Sequence, residues 1–106
     1  MNRARHIMRL LGEQSIVVST WGVTHIRPLS KNQGLMFRTN GNCFKGLIKV
    51  RHATADIYNI LYIPSGKGEV KQQKGVSEVE LVNVISKEVG HSPMALDYWI
   101  DILLIK

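Results

Sequence analysis

The side chains that most often bind metal ions are few and scattered in this chain of 106 residues. Its histidines stand singly and its cysteine is alone: His6, His25, Cys43, His52 and His91. A zinc site needs several such ligands at short, regular spacing, and neither a CxxC nor an HxxxH pair is present. The sequence therefore predicts no metal site and no cofactor.

Catalytic combinations are equally sparse. Cys43 and His52 could form a thiolate pair, but Cys43 falls in a predicted hairpin turn and no third group is placed to orient the imidazole. The carboxylates are not tied to a second acid in a recognisable catalytic order. The run GKGEVK at 66–71 contains glycine and lysine without the GxxxxGK[ST] order of a phosphate-binding loop. We therefore predict no catalytic residues and a protein that is not an enzyme.

Basic residues are the remaining chemical feature. The chain has 14 Lys and Arg against 8 Asp and Glu, which gives a formal net charge of +6. Such a charge favours contact with phosphate backbones or another anionic surface. The candidate nucleic-acid-binding residues lie in the first predicted helix and on one predicted sheet face: Arg3, Arg5, Arg9, Arg38, Lys45, Lys49 and Arg51. The alternative for both groups is an ordinary solvated surface.

A predicted sheet must position most of these cations. Residues 34–73 alternate short apolar runs with turn residues, which is typical of an antiparallel meander of about four strands. Asn40-Gly41 is the strongest turn signal because both residue types tolerate left-handed backbone conformations. The next strand alternates apolar residues with cations, whereas 57–63 is apolar on both faces and suits a central strand.

Two helices are predicted to cover this sheet. Apolar residues recur at helical spacing over 2–11, and Gly12 is a natural stop. A second helix is predicted from Ser77 to Val89, where Ser77 and Glu80 match a capping box.

The segments between the first helix and the meander have weaker signals. The β-branched run at 15–20 predicts a strand or an extended arm. The polar and basic stretch at 24–32, with Pro28 in its middle, predicts a long loop.

The segment 94–105 is almost entirely apolar. Such a segment either threads into the core or docks on another chain. The candidate interface residues are Met94, Tyr98, Trp99, Ile102 and Ile105. It is shorter than the run of about 20 apolar residues needed to span a bilayer, so we expect no membrane partner. With one cysteine and no apolar signal-peptide region before Gly12, we expect a cytoplasmic protein.

Several short motifs carry a family resemblance. They are the Leu11-Gly12 helix end, the arm ending in Thr20 and Gly22, LMFR at 35–38, IKV at 48–50 and DIYNI at 56–60. The pattern resembles a family of small uncharacterised proteins carried by bacterial phages and integrative elements. That family usually has a Met-Thr-Gly-Ala turn where this chain reads STWGV, and an aspartate where this chain has Asn59. The resemblance implies a mobile-element setting and an α+β fold, and it brings no catalytic residues with it.

Together these patterns predict a single α+β domain over 1–106. Its antiparallel meander of four to five strands would be packed on one face by an N-terminal and a C-terminal helix. We expect an accessory protein that binds nucleic acid without sequence preference through a basic face. The alternative is a protein–protein interaction module or homodimer that uses the apolar C-terminal segment.

Overall fold

The computed structural model describes residues 3–90, which form an α+β fold. Its elements, in chain order, are α1 (Arg3–Glu13), α2 (Ser15–Ser19), β1 (Thr24–Pro28), β2 (Gly34–Asn40), β3 (Lys45–Thr54), β4 (Ile57–Pro64), β5 (Lys71–Ser77) and α3 (Leu81–Val89). Short 3₁₀ turns at Ser30–Asn32 and Glu78–Glu80 precede β2 and α3.

The five strands form one antiparallel sheet in the order β1-β2-β3-β4-β5. Each strand pairs with its sequence neighbour, so the predicted meander is confirmed. Alternation divides the sheet into two faces. We call the face against the helices the inner face and the opposite one the outer face.

The hydrophobic core lies between the inner face and the helices. Helix α1 contributes Ala4, Ile7 and Leu11, the spacing that places side chains on one side of a helix. The inner-face members are Leu35, Phe37, Ile48, Val50, Tyr58, Ile60, Tyr62 and Val76, and those of α3 are Leu81, Val82, Ile85 and Val89. Burying one such large aliphatic side chain contributes about 1.5–3 kcal/mol, so the helices and the inner face stabilise each other.

The prediction of a strand or extended arm at 15–20 is wrong, because Ser15–Ser19 is the short helix α2. Val17 and Val18 pack against the core cluster, and the Val18 amide donates to the Gln14 carbonyl at 2.9 Å. The preference of β-branched residues for strands is weak enough for tertiary packing to override it in a single helical turn.

The prediction of a long loop at 24–32 is also wrong, since this stretch contains β1 and a 3₁₀ turn. All five residues of β1 are exposed, so no apolar alternation marks the strand in the sequence. Pro28 is tolerated because it is the last residue of an edge strand, where an amide N–H is not required.

The predicted capping box does not form. The Ser77 side chain makes no capping hydrogen bond, and the α-helix begins at Leu81 after a 3₁₀ turn. Ser77 is held in β5 opposite Ile57, and the Glu78 amide donates instead to the Asp56 carbonyl at 2.8 Å. The orphan amide at this helix start is thus satisfied by a neighbouring turn.

The predicted turn after Asn40 is confirmed, but glycine is needed there because of a close contact and not because of a left-handed backbone conformation. Gly41 is buried, and a Cβ added to it would collide with the Val89 carbonyl oxygen. That oxygen accepts hydrogen bonds from the amides of Cys43 and Phe44, at 3.0 and 3.2 Å. The β2–β3 hairpin therefore caps the last turn of α3, and the close approach requires glycine.

Candidate functional site

The outer face of the sheet carries a group of cations. Strand register places Lys49 between Met36 on β2 and Leu61 on β4, while Arg51 lies opposite Asn59. Arg38 and Lys45 share this face by the same alternation, so the four sheet cations predicted from the sequence lie on one face. Arg27, opposite Met36 on β1, adds a fifth. We call these five residues the outer basic face: Arg27, Arg38, Lys45, Lys49 and Arg51.

Within residues 3–90, no acidic residue lies among these cations. None of the five strands contains an Asp or a Glu. The acidic residues of the described range lie in turns or on the helical side: Glu13, Asp56, Glu69, Glu78, Glu80 and Glu88. Arg27, Arg38, Lys45 and Arg51 are exposed and Lys49 is half-buried. No carboxylate from the five strands therefore offsets their positive potential.

The arginines of α1 lie on the other side of the sheet. Arg3 donates to the Tyr58 hydroxyl at 3.5 Å, and Tyr58 points to the inner face. Arg9 lies 3.4 Å from His6, whose Nε2 is 3.1 Å from a Glu78 carboxylate oxygen. Arg5 is exposed on the same helix. The structure thus divides the predicted set of cations between two sides of the molecule.

A depression of about 180 Å³ lies within the outer basic face. Lys49, Arg51, Asn59 and Gln72 contribute its polar lining, together with Leu61. Leu61 pairs with both Lys49 and Gln72, and Arg51 pairs with Asn59, so the four polar residues surround Leu61 on three adjacent strands. We call this site the outer depression.

A β-bulge orients one of its side chains. The register between β4 and β5 shifts between Tyr58 and Ile60, so Asn59 faces the bulge that contains Gly75. Gly75 has a φ of 69°, a conformation that favours glycine. Its amide donates to Asn59 Oδ1 at 3.2 Å. With Oδ1 accepting that bond, the Asn59 side-chain NH₂ is left as a donor.

Half-buried aliphatic side chains lie between the outer cations: Met36, Leu47, Leu61 and Ile63. The aromatic side chains are on the other side. Phe37, Tyr58 and Tyr62 are buried on the inner face, and Phe44 packs edge-on against Tyr62. Within residues 3–90, the outer face therefore has no ring on which a base could stack.

A second concavity, of about 380 Å³, lies between α1 and the β1 edge. Its lining is mainly apolar and includes Met8, Leu11, Val23 and Ile26. Among the described residues, none of those that line it has a titratable side chain.

The side chains weighed for catalysis are not brought together. Cys43 is exposed in the β2–β3 loop, whereas His52 is near the far end of β3 and contacts the Ala55 carbonyl at 2.7 Å. Lys45, at the start of β3, and His52 are seven positions apart along the strand, about 23 Å. In the described part of the chain, no group of three or more His, Cys, Asp and Glu side chains could hold a metal ion. The candidate interface residues lie outside residues 3–90: Met94, Tyr98, Trp99, Ile102 and Ile105.

Three members of the site were not singled out from the sequence. Arg27 falls within the stretch 24–32 that the sequence predicts to be a loop. Asn59 and Gln72 join the cations only through the pairing of β3, β4 and β5. The alternation of β4 already puts Asn59 on the face of Leu61, which is the one sequence signal that could have found it.

No protein-family model, curated protein or solved structure matches this chain. Among the described residues, no helix is both long and apolar enough to cross a membrane.

Proposed function

We propose that the protein binds the phosphate backbone of nucleic acid through the outer basic face, without sequence preference. The observation that carries this proposal is the presence of five cations on one sheet face whose strands contain no acidic residue. Lys and Arg that neutralise phosphates release condensed counterions, so binding of this kind is driven largely by charge.

Two features of the outer face favour phosphate contacts over base recognition. It has no aromatic ring in the described residues, so unpaired bases have no stacking platform there. Five strands at about 4.8 Å spacing are about 19 Å wide, whereas the major groove is about 12 Å wide. The sheet as a whole is too wide to enter the groove, so it would lie against the backbone.

A salt series tests the proposal. A fluorescently labelled DNA or RNA duplex is titrated with the full chain, and its anisotropy is measured at several salt concentrations. Three to five phosphate contacts predict a slope of log K against log salt of about −2.7 to −4.5. Absent binding, or an affinity that does not change with salt, would refute the proposal. The mobile-element setting implied by the family resemblance stays a prediction.

We also propose a second candidate function, a protein–protein contact between two copies of the chain. It is supported by the half-buried aliphatic side chains on the outer face, such as Leu47 and Ile63, and by the apolar sequence of 94–105. Light scattering on the full chain tests it across a concentration series. A mass that stays at one protomer at every concentration would refute it.

A further inference from the structure

We infer that the outer depression is a binding site for a single phosphate group. The inference rests on the proposed function and assigns a specific contact point within the outer basic face. The ligand is either a phosphodiester of the nucleic-acid backbone or a terminal phosphate monoester. Both present the same anionic oxygens to hydrogen-bond donors.

The side chains around the depression are matched to an anion. Lys49 and Arg51 carry positive charge and offer only donors. Asn59 adds its NH₂ group, because its carbonyl oxygen already accepts from the Gly75 amide. Gln72 adds a second carboxamide on the opposite side of Leu61. Charge-assisted hydrogen bonds from such a set are the strong kind that phosphate recognition uses.

The site is held by backbone structure. Lys49, Arg51, Asn59 and Gln72 project from three hydrogen-bonded strands. Asn59 is held further by the bulge at Gly75. A donor with a fixed orientation loses less conformational entropy on binding than one on a mobile loop.

Asn59→Asp is the sharpest variant. The carboxylate keeps an oxygen that can accept from the Gly75 amide, so the bulge is preserved, but it replaces the NH₂ donor with a negative charge. Asn83→Asp is the matched control, because Asn83 is exposed on α3 and the change in net charge is the same. Gln72→Glu, at an exposed position, repeats the test without altering the contact with Gly75.

The experiment measures duplex affinity for the full-length wild type and these variants at one salt concentration. Asn59→Asp and Gln72→Glu are each expected to weaken binding about ten- to a hundredfold relative to Asn83→Asp, the equivalent of a lost hydrogen bond to a charged group. If both bind as tightly as Asn83→Asp, the phosphate site is refuted, while a steep salt slope of the wild type would still support the proposed function.

Two further arms identify the source of the phosphate. A duplex that ends in a 5′-phosphate is compared with one that ends in a 5′-hydroxyl. If Asn59→Asp weakens the binding of both duplexes equally, the ligand is the backbone diester. If it weakens only the binding of the 5′-phosphate duplex, the ligand is the terminal monoester. Inorganic phosphate is then titrated against the wild type while the Asn59 side-chain amide is followed by NMR. The site is supported if phosphate changes the chemical shift of this amide saturably and a sulfate-free chloride salt at equal ionic strength does not. Identical chemical-shift changes with the two salts refute it.

Discussion

Trp21 lies in the segment between α2 and β1, and its contacts connect this segment to the sheet and to α3. Its side chain is fully buried, it stacks on Phe37 with ring centroids 6.2 Å apart, and its Nε1 donates to Ser86 Oγ at 2.9 Å. Ser86→Ala leaves this N–H unsatisfied, which we expect to lower the free energy of unfolding by about 1–3 kcal/mol. Urea denaturation measures the change. Ser30→Ala, at an exposed position, is the control, and equal losses in the two variants would contradict the role given to this bond.

The two buried tyrosines of β4 differ in their hydroxyl groups. Tyr62 has a buried hydroxyl with no hydrogen-bond partner in the described structure, whereas the Tyr58 hydroxyl accepts from Arg3. Removing an unsatisfied buried hydroxyl relieves its desolvation penalty, so Tyr62→Phe is expected to raise the free energy of unfolding by up to about 1 kcal/mol. Tyr58→Phe should lower it by about 0.5–1 kcal/mol. Changes of the same sign in both variants, measured in urea, would contradict this distinction.

Tyr62 also makes stability depend on alkaline pH. Burial, with the nearby Glu88 charge as a smaller cause, raises the pKa of Tyr62 well above its usual value of 10.0. Above about pH 10, the usual pKa, Tyr62 loses its phenol proton in the unfolded chain but keeps it in the native protein. The free energy of unfolding therefore falls as the pH rises. The contribution of Tyr62 to the free energy of unfolding is complete below about pH 10, and it falls by up to about 1.4 kcal/mol per pH unit above that pH.

Urea unfolding of the wild type and Tyr62→Phe, at about pH 9 and about pH 11, isolates this contribution. The wild type is expected to lose more free energy of unfolding between the two pH values than the variant does. Parallel losses would show that the titration of Tyr62 does not contribute.

The contact between the β2–β3 hairpin and the end of α3 depends on Gly41. Gly41→Ala places a methyl group against the Val89 carbonyl oxygen, and we expect a loss of about 1–3 kcal/mol in the free energy of unfolding. The matched control is Gly12→Ala within α1, where an added Cβ has nothing within 4 Å. That variant should gain about 0.5–1 kcal/mol from better helix propensity. Thermal denaturation of both gives the test, and a Gly41→Ala protein as stable as the wild type would contradict the close contact.

Local pattern was enough to predict some of these elements. The meander and its two faces follow from alternation that burial enforces, as in Ile48 and Val50 against Lys49. β1 was not predicted because an exposed edge strand buries no face and therefore leaves no apolar pattern. α2 was not predicted because tertiary packing of Val17 and Val18 overrides a local β preference.

Part of the candidate site was also predicted from the alternation of side chains along the strands. Arg38, Lys45, Lys49 and Arg51 could be assigned to one face because they share the alternation of paired strands. Asn59 and Gln72 join them only through the register across β4 and β5, and that register includes a bulge at Gly75. The position of the α1 arginines on the opposite side depends on which face the helices cover, and the sequence does not specify it.

Charge is distributed unevenly over the whole molecule. Acidic and basic side chains lie side by side on the helical side, where His6 contacts Glu78 and Lys71 forms a salt bridge with Glu88. The outer face has cations without carboxylates in any strand. A net charge of +6 would attract polyanions weakly from all directions, but this distribution predicts that they bind on one side.

Two triple variants with the same net charge test this distribution most directly. Arg38→Ala/Lys49→Ala/Arg51→Ala removes cations from the outer face, and Arg5→Ala/Arg9→Ala/Lys87→Ala removes three exposed cations from the helical side. The measurement is the slope of log K against log salt for duplex binding by each full-length protein. The outer-face variant is expected to have a slope less negative than the wild type by about 2.7, and the helical-side variant an unchanged slope. Equal changes in both variants would contradict binding through the outer basic face.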